Sequence, residues 1–315
     1  MLRYTLWRIV TIVPVLFCVS LAVFLMLHVM PADPVRIMLE QTGVGQVPNA
    51  AGTEQLIADL RARLGLDQPL HVQFARFLGD VFTGSLGHSY RSQQPVSELI
   101  LAQYPYTLRL AFAGLACAVA LGLTLGVLAG LWPGSLFDRV ATLVALVGIA
   151  TPGFWLGLML IYVFAVVLNL LPVIGVGSFQ AIILPAVTLG LPGAAIIARL
   201  TRSNLAAMMQ EDFVTTARAK GLPERLVILK HALPNVMLPV LTVVGLQFGN
   251  LMTGTVIVET VYSRPGIGRL GVTAILQSDY PVVQGFVLVV AATYVAANLV
   301  VDLSYTLLDP RIRYK

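Results

Sequence analysis

The chain has 315 residues, of which 57% are hydrophobic and only 11% are charged, and its mean hydropathy is +0.86. About a quarter of the residues in a soluble domain are charged, so this composition excludes a water-facing globular fold and predicts an all-α integral membrane protein. The net charge of +5 does not indicate nucleic-acid binding, because an excess of Lys and Arg in a membrane protein reports topology.

Uncharged apolar runs predict about six transmembrane helices, since one span needs about 20 residues. The first run resembles a signal peptide, but it is long enough to cross the membrane and lacks a small-residue cleavage site, so we expect a retained span. The stretch between Arg139 and Arg199 has no charge and is long enough for two spans or, tightly, three. The spans are predicted at 9–30, 104–131, 139–171, 180–200, 234–258 and 281–304.

Charge selects two spans for that stretch, with a turn near Pro172–Phe179. Residues 199–235 hold six Lys or Arg against three acids, and both termini are also basic. Lys and Arg favour the cytoplasmic side, and only six spans place all three segments there. Thr151-Pro152-Gly153 is then a kink or short break inside the third span.

A large insertion, residues 31–103, lies between the first two spans and is predicted to be extracytoplasmic. Apolar residues at helical spacing in Glu54–Leu64 and His71–Val81 predict a small helical cap. No internal repeat stands out, so we expect a single transmembrane domain, residues 1–315, that carries this cap insertion.

The predicted cytoplasmic loop, residues 201–234, has the pattern of two short helices around a turn. Gly221 suits the left-handed position that ends a helix, and Pro223 suits the first turn of the next. Pro234 is expected to end that second helix at the membrane. Such a charged segment with apolar side chains suits either a protein partner or an ordinary solvated loop, and the residues alone leave both open.

A family resemblance favours the partner. Thr215-Thr-Ala-Arg-Ala-Lys-Gly221, followed by Leu233-Pro234, resembles the EAA loop of ABC importer permeases in its dipeptide, oligopeptide and nickel branch. Thr215 stands at the nominal Glu of that motif, Thr216 at the first Ala, and His231 at the usual Ile. Further matches in order are at 30–34, 64–69, 84–87, 259–268, 279–284 and 302–313.

The resemblance implies a type I ABC importer permease fold in a bacterial inner (plasma) membrane, with both termini cytoplasmic. It implies a second homologous permease subunit, two ATP-binding subunits and an extracytoplasmic substrate-binding protein as partners. No GxxxxGK[ST] motif is present, so ATP hydrolysis is expected on those partners, and we predict no catalytic residue, cofactor or metal site here. The residues implied to couple to the ATPase are Thr215, Thr216, Ala217, Arg218, Lys220, Gly221, Leu222, Pro223, Leu233 and Pro234.

Polar residues of the fifth predicted span and its outer end are candidates for the translocation path or outer gate. Ionisable groups in spans are costly, which makes Glu259 the first candidate; a carboxylate anchored at the interface by Arg264 or Arg269 is an equal alternative. Gln247 and Asn250 are expected to face protein or a water-filled path. Gly245, Gly249 and Gly254 are expected to allow close helix packing.

The cargo is predicted to be di- or oligopeptides. Nickel or a metal chelate, glutathione and opines are alternatives with the same mechanism. A stand-alone secondary transporter or channel is an alternative of another class, which predicts inverted repeats and more intramembrane charge.

Overall fold

The computed structural model describes residues 2–29, 35, 39, 50–175 and 177–308. The motif at 30–34 and the basic tail from Asp309 lie outside these residues. Regular secondary structure within them is helical. In chain order the helices are α1 (Leu2–Val29), α2 (Ala50–Leu64), α3 (Leu70–Phe82), α4 (Val96–Leu131), α5 (Leu136–Ala150), α6 (Gly153–Leu160), α7 (Gln180–Met208), α8 (Asp212–Ala219), α9 (Glu224–Leu226), α10 (Leu233–Val261), α11 (Ile267–Leu276) and α12 (Tyr280–Leu308).

Among the described residues, five stretches of helix are long and apolar enough to cross a membrane, and there are six if the bent pair α5–α6 counts as one span. The fold is therefore an all-α membrane protein with about six spans. Two π-helical segments occur in the described part, Ile161–Val167 after α6 and Val227–Ala232 between α9 and α10. The second keeps Glu224–Val261 continuous.

The predicted break at Thr151–Gly153 is a sharp bend, since α5 and α6 meet at 112°. Thr151 has an extended backbone with ψ of 126°, the conformation that a following proline imposes. Pro152 has no N–H to continue the hydrogen-bond ladder of α5. The predicted third span thus contains two helices with different directions.

The described chain divides into two compact units. The first comprises Met1–Pro105 with Pro265–Val295, and the second comprises Tyr106–Arg264 with Ala296–Lys315.

The first unit contains the cap insertion, where the two expected helices are present as α2 and α3. An aromatic cluster joins α3 to α1: the Phe74 ring lies 5.7 Å from the Phe17 ring and 5.2 Å from the Phe24 ring, measured between centroids. Beside it, His28 Nε2 lies 3.1 Å from Gln73 Oε1. The cap is therefore packed directly on the first span.

One close helix contact in the second unit joins α4 to α7. A ridge of small residues at every fourth position of α4 faces α7, which lets the two backbones approach closely, as small residues do in membranes. A Cβ atom added at Gly122 would lie 2.8 Å from the carbonyl oxygen of Ala194. The ridge consists of Gly114, Ala118, Gly122, Gly126 and Gly130.

The glycines predicted to matter in α10 make separate contacts within the same unit. A Cβ atom at Gly245 would lie 2.7 Å from the side chain of Val301, and one at Gly254 would lie 2.7 Å from Leu189. Gly249 is buried. Gly245 therefore packs closely against Val301, whereas at Gly254 the close atom is the end of the flexible Leu189 side chain.

An ion pair joins the start of α5 to the end of α7. Arg202 donates from Nε to Asp138 Oδ1 at 2.5 Å and from Nη2 to Asp138 Oδ2 at 2.7 Å. The Asp138 side chain is only 3% exposed. Ser135 caps α5 by accepting the Asp138 N–H. This clamp therefore includes a residue of the 201–234 loop itself, whose first eight residues belong to α7.

Candidate functional site

The 201–234 loop contains a tightly specified turn between α8 and α9. Gly221 has φ of +76°, a left-handed conformation that costs an L-residue about 1–2 kcal/mol. Its N–H donates to the Arg218 carbonyl at 2.9 Å, and the Leu222 N–H donates to the Ala217 carbonyl at 3.4 Å. These two bonds form a Schellman motif. The prediction of a left-handed Gly221 that ends the first helix is confirmed.

The turn has a small apolar core of its own. Val214, Ala217 and Val227 are buried together, with Met209 and Leu222 packed against them. The contact between Ala217 and Leu222 is the hydrophobic contact that usually accompanies a Schellman motif. The loop is therefore a folded element rather than an extended connection.

Apolar and polar side chains share the outer surface of this element. Leu229 is 62% exposed, and Phe213 and Leu226 are also exposed. Arg218 and Glu224 form an exposed ion pair across the turn, with Nη2 of Arg218 2.6 Å from Oε1 of Glu224. Among the predicted coupling residues, the exposed ones are Thr215, Thr216, Arg218, Lys220, Gly221, Pro223 and Pro234, whereas Ala217 is buried and Leu222 and Leu233 are intermediate.

Two details of the sequence prediction for this loop are wrong. Pro223 caps α9 instead of lying in its first turn. Pro234 does not end the second helix, because the π-helical segment Val227–Ala232 leads directly into α10. A π turn shifts the hydrogen-bond pattern to i→i+5, and Pro234 then occupies the first turn of α10, where a missing N–H is tolerated.

At the other end of α10, Glu259 is completely buried within the second unit. Thr107 of α4 donates its hydroxyl to Glu259 Oε1 at 2.6 Å. A buried carboxylate must be hydrogen-bonded to offset its lost hydration. Glu259 is therefore a packed interior group.

Arg264 lies beyond the end of α10 and is also buried. Its Nη1 donates to the carbonyl oxygens of Ala181 at 2.8 Å and Gly175 at 3.2 Å. Burial lowers the pKa of the Arg264 guanidinium, and attraction to the Glu259 carboxylate opposes that shift. Arg264 thus ties the segment after α10 to the start of α7.

Tyr262, which is fully buried, completes this region. Its hydroxyl is 2.8 Å from Thr188 Oγ1 and donates to the Gly157 carbonyl at 3.3 Å. We refer to Thr107, Thr188, Glu259, Tyr262 and Arg264 as the buried polar cluster.

The other two candidates for the translocation path lie near the middle of α10. Asn250 is exposed and donates from Nδ2 to Gln247 Oε1 at 3.3 Å, whereas Gln247 is buried beside Gly193. The structure therefore does not bring Gln247 and Asn250 into the buried polar cluster with Glu259 and Arg264.

Replacing Thr107 with valine is expected to lower stability by about 1–3 kcal/mol, because a buried carboxylate then loses a donor. The measurement is the apparent melting temperature of the purified protein in detergent. Thr260→Val is the matched control on α10, since Thr260 is exposed and donates only to the Val256 carbonyl of its own helix. Equal losses for the two variants would contradict a special role for the Thr107 hydroxyl.

Sequence reasoning missed several residues of these sites. Thr107 and Glu259 are 152 positions apart, and no local pattern connects them. Tyr262 is not among the residues that the sequence singles out for the path or gate. The sequence indicates only one part of the Asp138–Arg202 clamp. Ser135 followed three residues later by an acid is a helix-start pattern, but nothing in the sequence pairs Asp138 with Arg202.

Comparison with known families agrees with this architecture. The family described as "Binding-protein-dependent transport system inner membrane component" matches residues 122–314, and its N-terminal counterpart matches residues 1–111. The chain belongs to this family. It is therefore a permease subunit of an ABC importer, a transport component of the inner membrane.

Relatives of this binding-protein-dependent permease match it end to end. A protein named glutathione transport system permease protein GsiC from Salmonella paratyphi A is 43% identical over 318 residues, covering all of both chains. The protein of that name from Escherichia coli K12 is 42% identical with the same coverage.

Solved ABC transporters share the fold. The inward-facing MetNI methionine ABC transporter has a TM-score of 0.55 at 20% identity, covering 67% of this chain and 96% of that one. An amino acid ABC transporter has a TM-score of 0.50 at 20% identity, covering 69% and 95%. At this identity the likeness concerns the fold alone.

Proposed function

We propose that this permease forms half of the translocation path of an importer for short peptides of about the size of glutathione. A second homologous permease completes the path, two ATP-binding subunits hydrolyse ATP, and an extracytoplasmic binding protein delivers the cargo. The 201–234 loop lies in the cytoplasm together with both termini. The observation that carries this proposal is the folded loop, with its Schellman turn at Gly221 and exposed Phe213, Leu226 and Leu229.

The exposed surface of the loop suits insertion into a cleft of an ATP-binding subunit. Its apolar side chains gain from burial by a partner, while the core around Val214 and Val227 keeps the element rigid without one. The residues proposed to contact that subunit are the exposed ones near the turn, and they include two basic residues, Arg218 and Lys220. Ala217 and Leu222 do not contact the subunit in this proposal; they stabilise the turn through its apolar core.

A continuous helix connects this loop to the buried polar cluster. The stretch Glu224–Val261 has 38 residues, which corresponds to roughly 55 Å at about 1.5 Å per residue. A displacement of the turn at Gly221 is therefore transmitted along a single helical stretch to Glu259. ATP acts by binding more tightly to one of two arrangements of the spans, since a ligand shifts an equilibrium only through its differential affinity.

The cargo proposal is supported by the relatives, which are named for glutathione transport, and by the resemblance of the loop to the peptide and nickel branch. Glutathione is itself a tripeptide. Among the described residues no group of three or more His, Cys, Asp or Glu is placed to hold a metal ion.

Reconstitution tests this proposal. Proteoliposomes that contain both permeases and the ATP-binding subunits, with ATP inside and the binding protein outside, are expected to accumulate labelled glutathione. Excess unlabelled alanyl-phenylalanine should reduce uptake at least fivefold, whereas Ni²⁺ should leave it unchanged. The control omits the ATP-binding subunits and should show no uptake.

Three outcomes would contradict the proposal. Uptake by this chain without ATP-binding subunits would contradict the division of labour. Competition by Ni²⁺ but not by the dipeptide would assign a metal or a chelate as cargo. Uptake of neither peptide by an assembly with active ATPase would exclude short peptides.

A further inference from the structure

The first unit contains a cavity of about 660 Å³, within the range of about 300–1,000 Å³ that small-molecule sites occupy. It lies between the end of α1, the end of α2, α3, the segment 86–90 with Gln93, and the start of α12. Neither the 201–234 loop nor the buried polar cluster contributes residues to this cavity. Its wall combines apolar side chains with charged groups of both signs.

Hydrogen bonds hold the wall of this cavity in place. Ser89 donates its hydroxyl to Asp279 Oδ2 at 2.5 Å, and the Tyr90 N–H donates to Asp279 Oδ1 at 3.1 Å. On the opposite side, Gln73 donates from Nε2 to the Gln68 carbonyl at 2.8 Å, and its Oε1 faces His28. The cavity is therefore formed before any ligand enters.

Two opposite charges on α3 line the cavity without forming an ion pair. Arg76 and Asp80 are one helical turn apart, and in the described part of the chain neither side chain has a hydrogen bond or an ion pair. Gly65, with φ of +69°, leaves room for the Arg76 guanidinium, which a Cβ atom at that position would strike. Both charges are available to a ligand.

The remaining wall supplies a hydrogen-bond donor and an apolar surface. Tyr90 lines the cavity, and a tyrosine phenol is protonated at neutral pH; burial and the nearby Asp279 carboxylate raise its pKa further, to about 12. Phe24 and Phe77 contribute aromatic rings to the lining. Such a wall suits a small ligand with charged ends and an apolar side chain.

We propose that this cavity binds a short zwitterionic peptide, with its carboxylate at Arg76, its ammonium group at Asp80 and its side chains against Phe24 and Phe77. Residues four apart on a helix have Cβ atoms about 5–6 Å apart, and a dipeptide spans at most about 7 Å. Short peptides therefore satisfy both charges at once, and a peptide with blocked ends satisfies neither. The role as a holding site for cargo outside the spans rests on the proposed function.

The test uses the complete importer in lipid nanodiscs, without nucleotide or binding protein, and measures equilibrium binding of labelled alanyl-phenylalanine. Saturable binding is expected, and unlabelled N-acetyl-alanyl-phenylalanine amide should not compete. Arg76→Gln and Asp80→Asn should each weaken binding at least tenfold. Arg91→Gln is the matched control, because Arg91 is exposed in the same cap but does not line the cavity, and it should stay within twofold of the wild type.

Absence of saturable binding, or wild-type affinity in both α3 variants, would overturn the assignment of this cavity. Gel filtration of each variant complex establishes that assembly is intact, and Arg76 and Asp80 are both exposed, so folding should be preserved. If the wild-type importer transports glutathione but binds no dipeptide in this assay, the cavity assignment fails and the proposed function stands. If binding occurs as expected and ATP-driven uptake does not, the proposed function fails and the cavity remains a peptide site.

Discussion

Replacing Gly126 with alanine is expected to destabilise the protein by about 1–3 kcal/mol, the usual cost of forcing an extra methyl group into a packed interface. A Cβ atom at this position would lie 2.6 Å from the Ala198 carbonyl oxygen and 2.6 Å from Thr201 Cβ. The carbonyl is backbone, so α4 and α7 must move apart to accept it. The apparent melting temperature of the purified importer in detergent should fall, and Gly126→Val should lower it further.

Gly148→Ala is the matched control for this substitution. Gly148 is also buried in a spanning helix, but a Cβ atom there would lie 3.9 Å from its nearest neighbours, Ala195 and Leu191. Alanine at this position fits without movement and favours the helix by up to about 1 kcal/mol. A melting temperature for Gly126→Ala equal to that of the wild type would contradict the close α4–α7 contact.

The Gly126 contact also illustrates what the sequence predicts and what it does not. Small residues at every fourth position of α4 are readable in the sequence, but their partner is not, because α7 lies more than 50 residues later and only tertiary packing pairs the two helices. Hydropathy and charge were sufficient for the number of spans, since both follow from the cost of placing charge in lipid. They carry no information on which spans touch.

The 201–234 loop also contains features that the sequence predicts and features that it does not. Gly221 was predictable, because few residues other than glycine adopt a positive φ without strain. Pro234 was not, because the local rule that proline ends a helix is overridden by the π-helical segment before it. The pairing of Thr107 with Glu259 had no local signal at all, since hydrogen bonds between distant helices depend on the packed fold.

The largest functional effect is expected at Gly221, where valine should reduce binding-protein-stimulated ATPase activity and transport at least tenfold. Apart from its own chain neighbours, no atom lies within 4 Å of a Cβ atom built at Gly221, so the effect does not come from a collision. It comes from the backbone, because a β-branched residue at φ of +76° is strained by about 1–2 kcal/mol. Relaxation of that strain would pull Leu222 out of the core with Val214 and Val227 and reorient the exposed surface.

Gly221→Asn separates this explanation from a simple effect of side-chain size. Asparagine is larger than glycine but tolerates the left-handed region, so the turn should persist and coupling should stay within about twofold of the wild type. Both variants should reach the membrane in normal amounts, because the apolar spans that drive insertion are unchanged. Measurements of ATPase activity with and without cargo-loaded binding protein, alongside uptake, distinguish uncoupling from loss of assembly. Equal effects of valine and asparagine would show that the left-handed turn at Gly221 is not required for coupling to the ATP-binding subunits. Coupling would then depend only on the exposed side chains of the 201–234 loop.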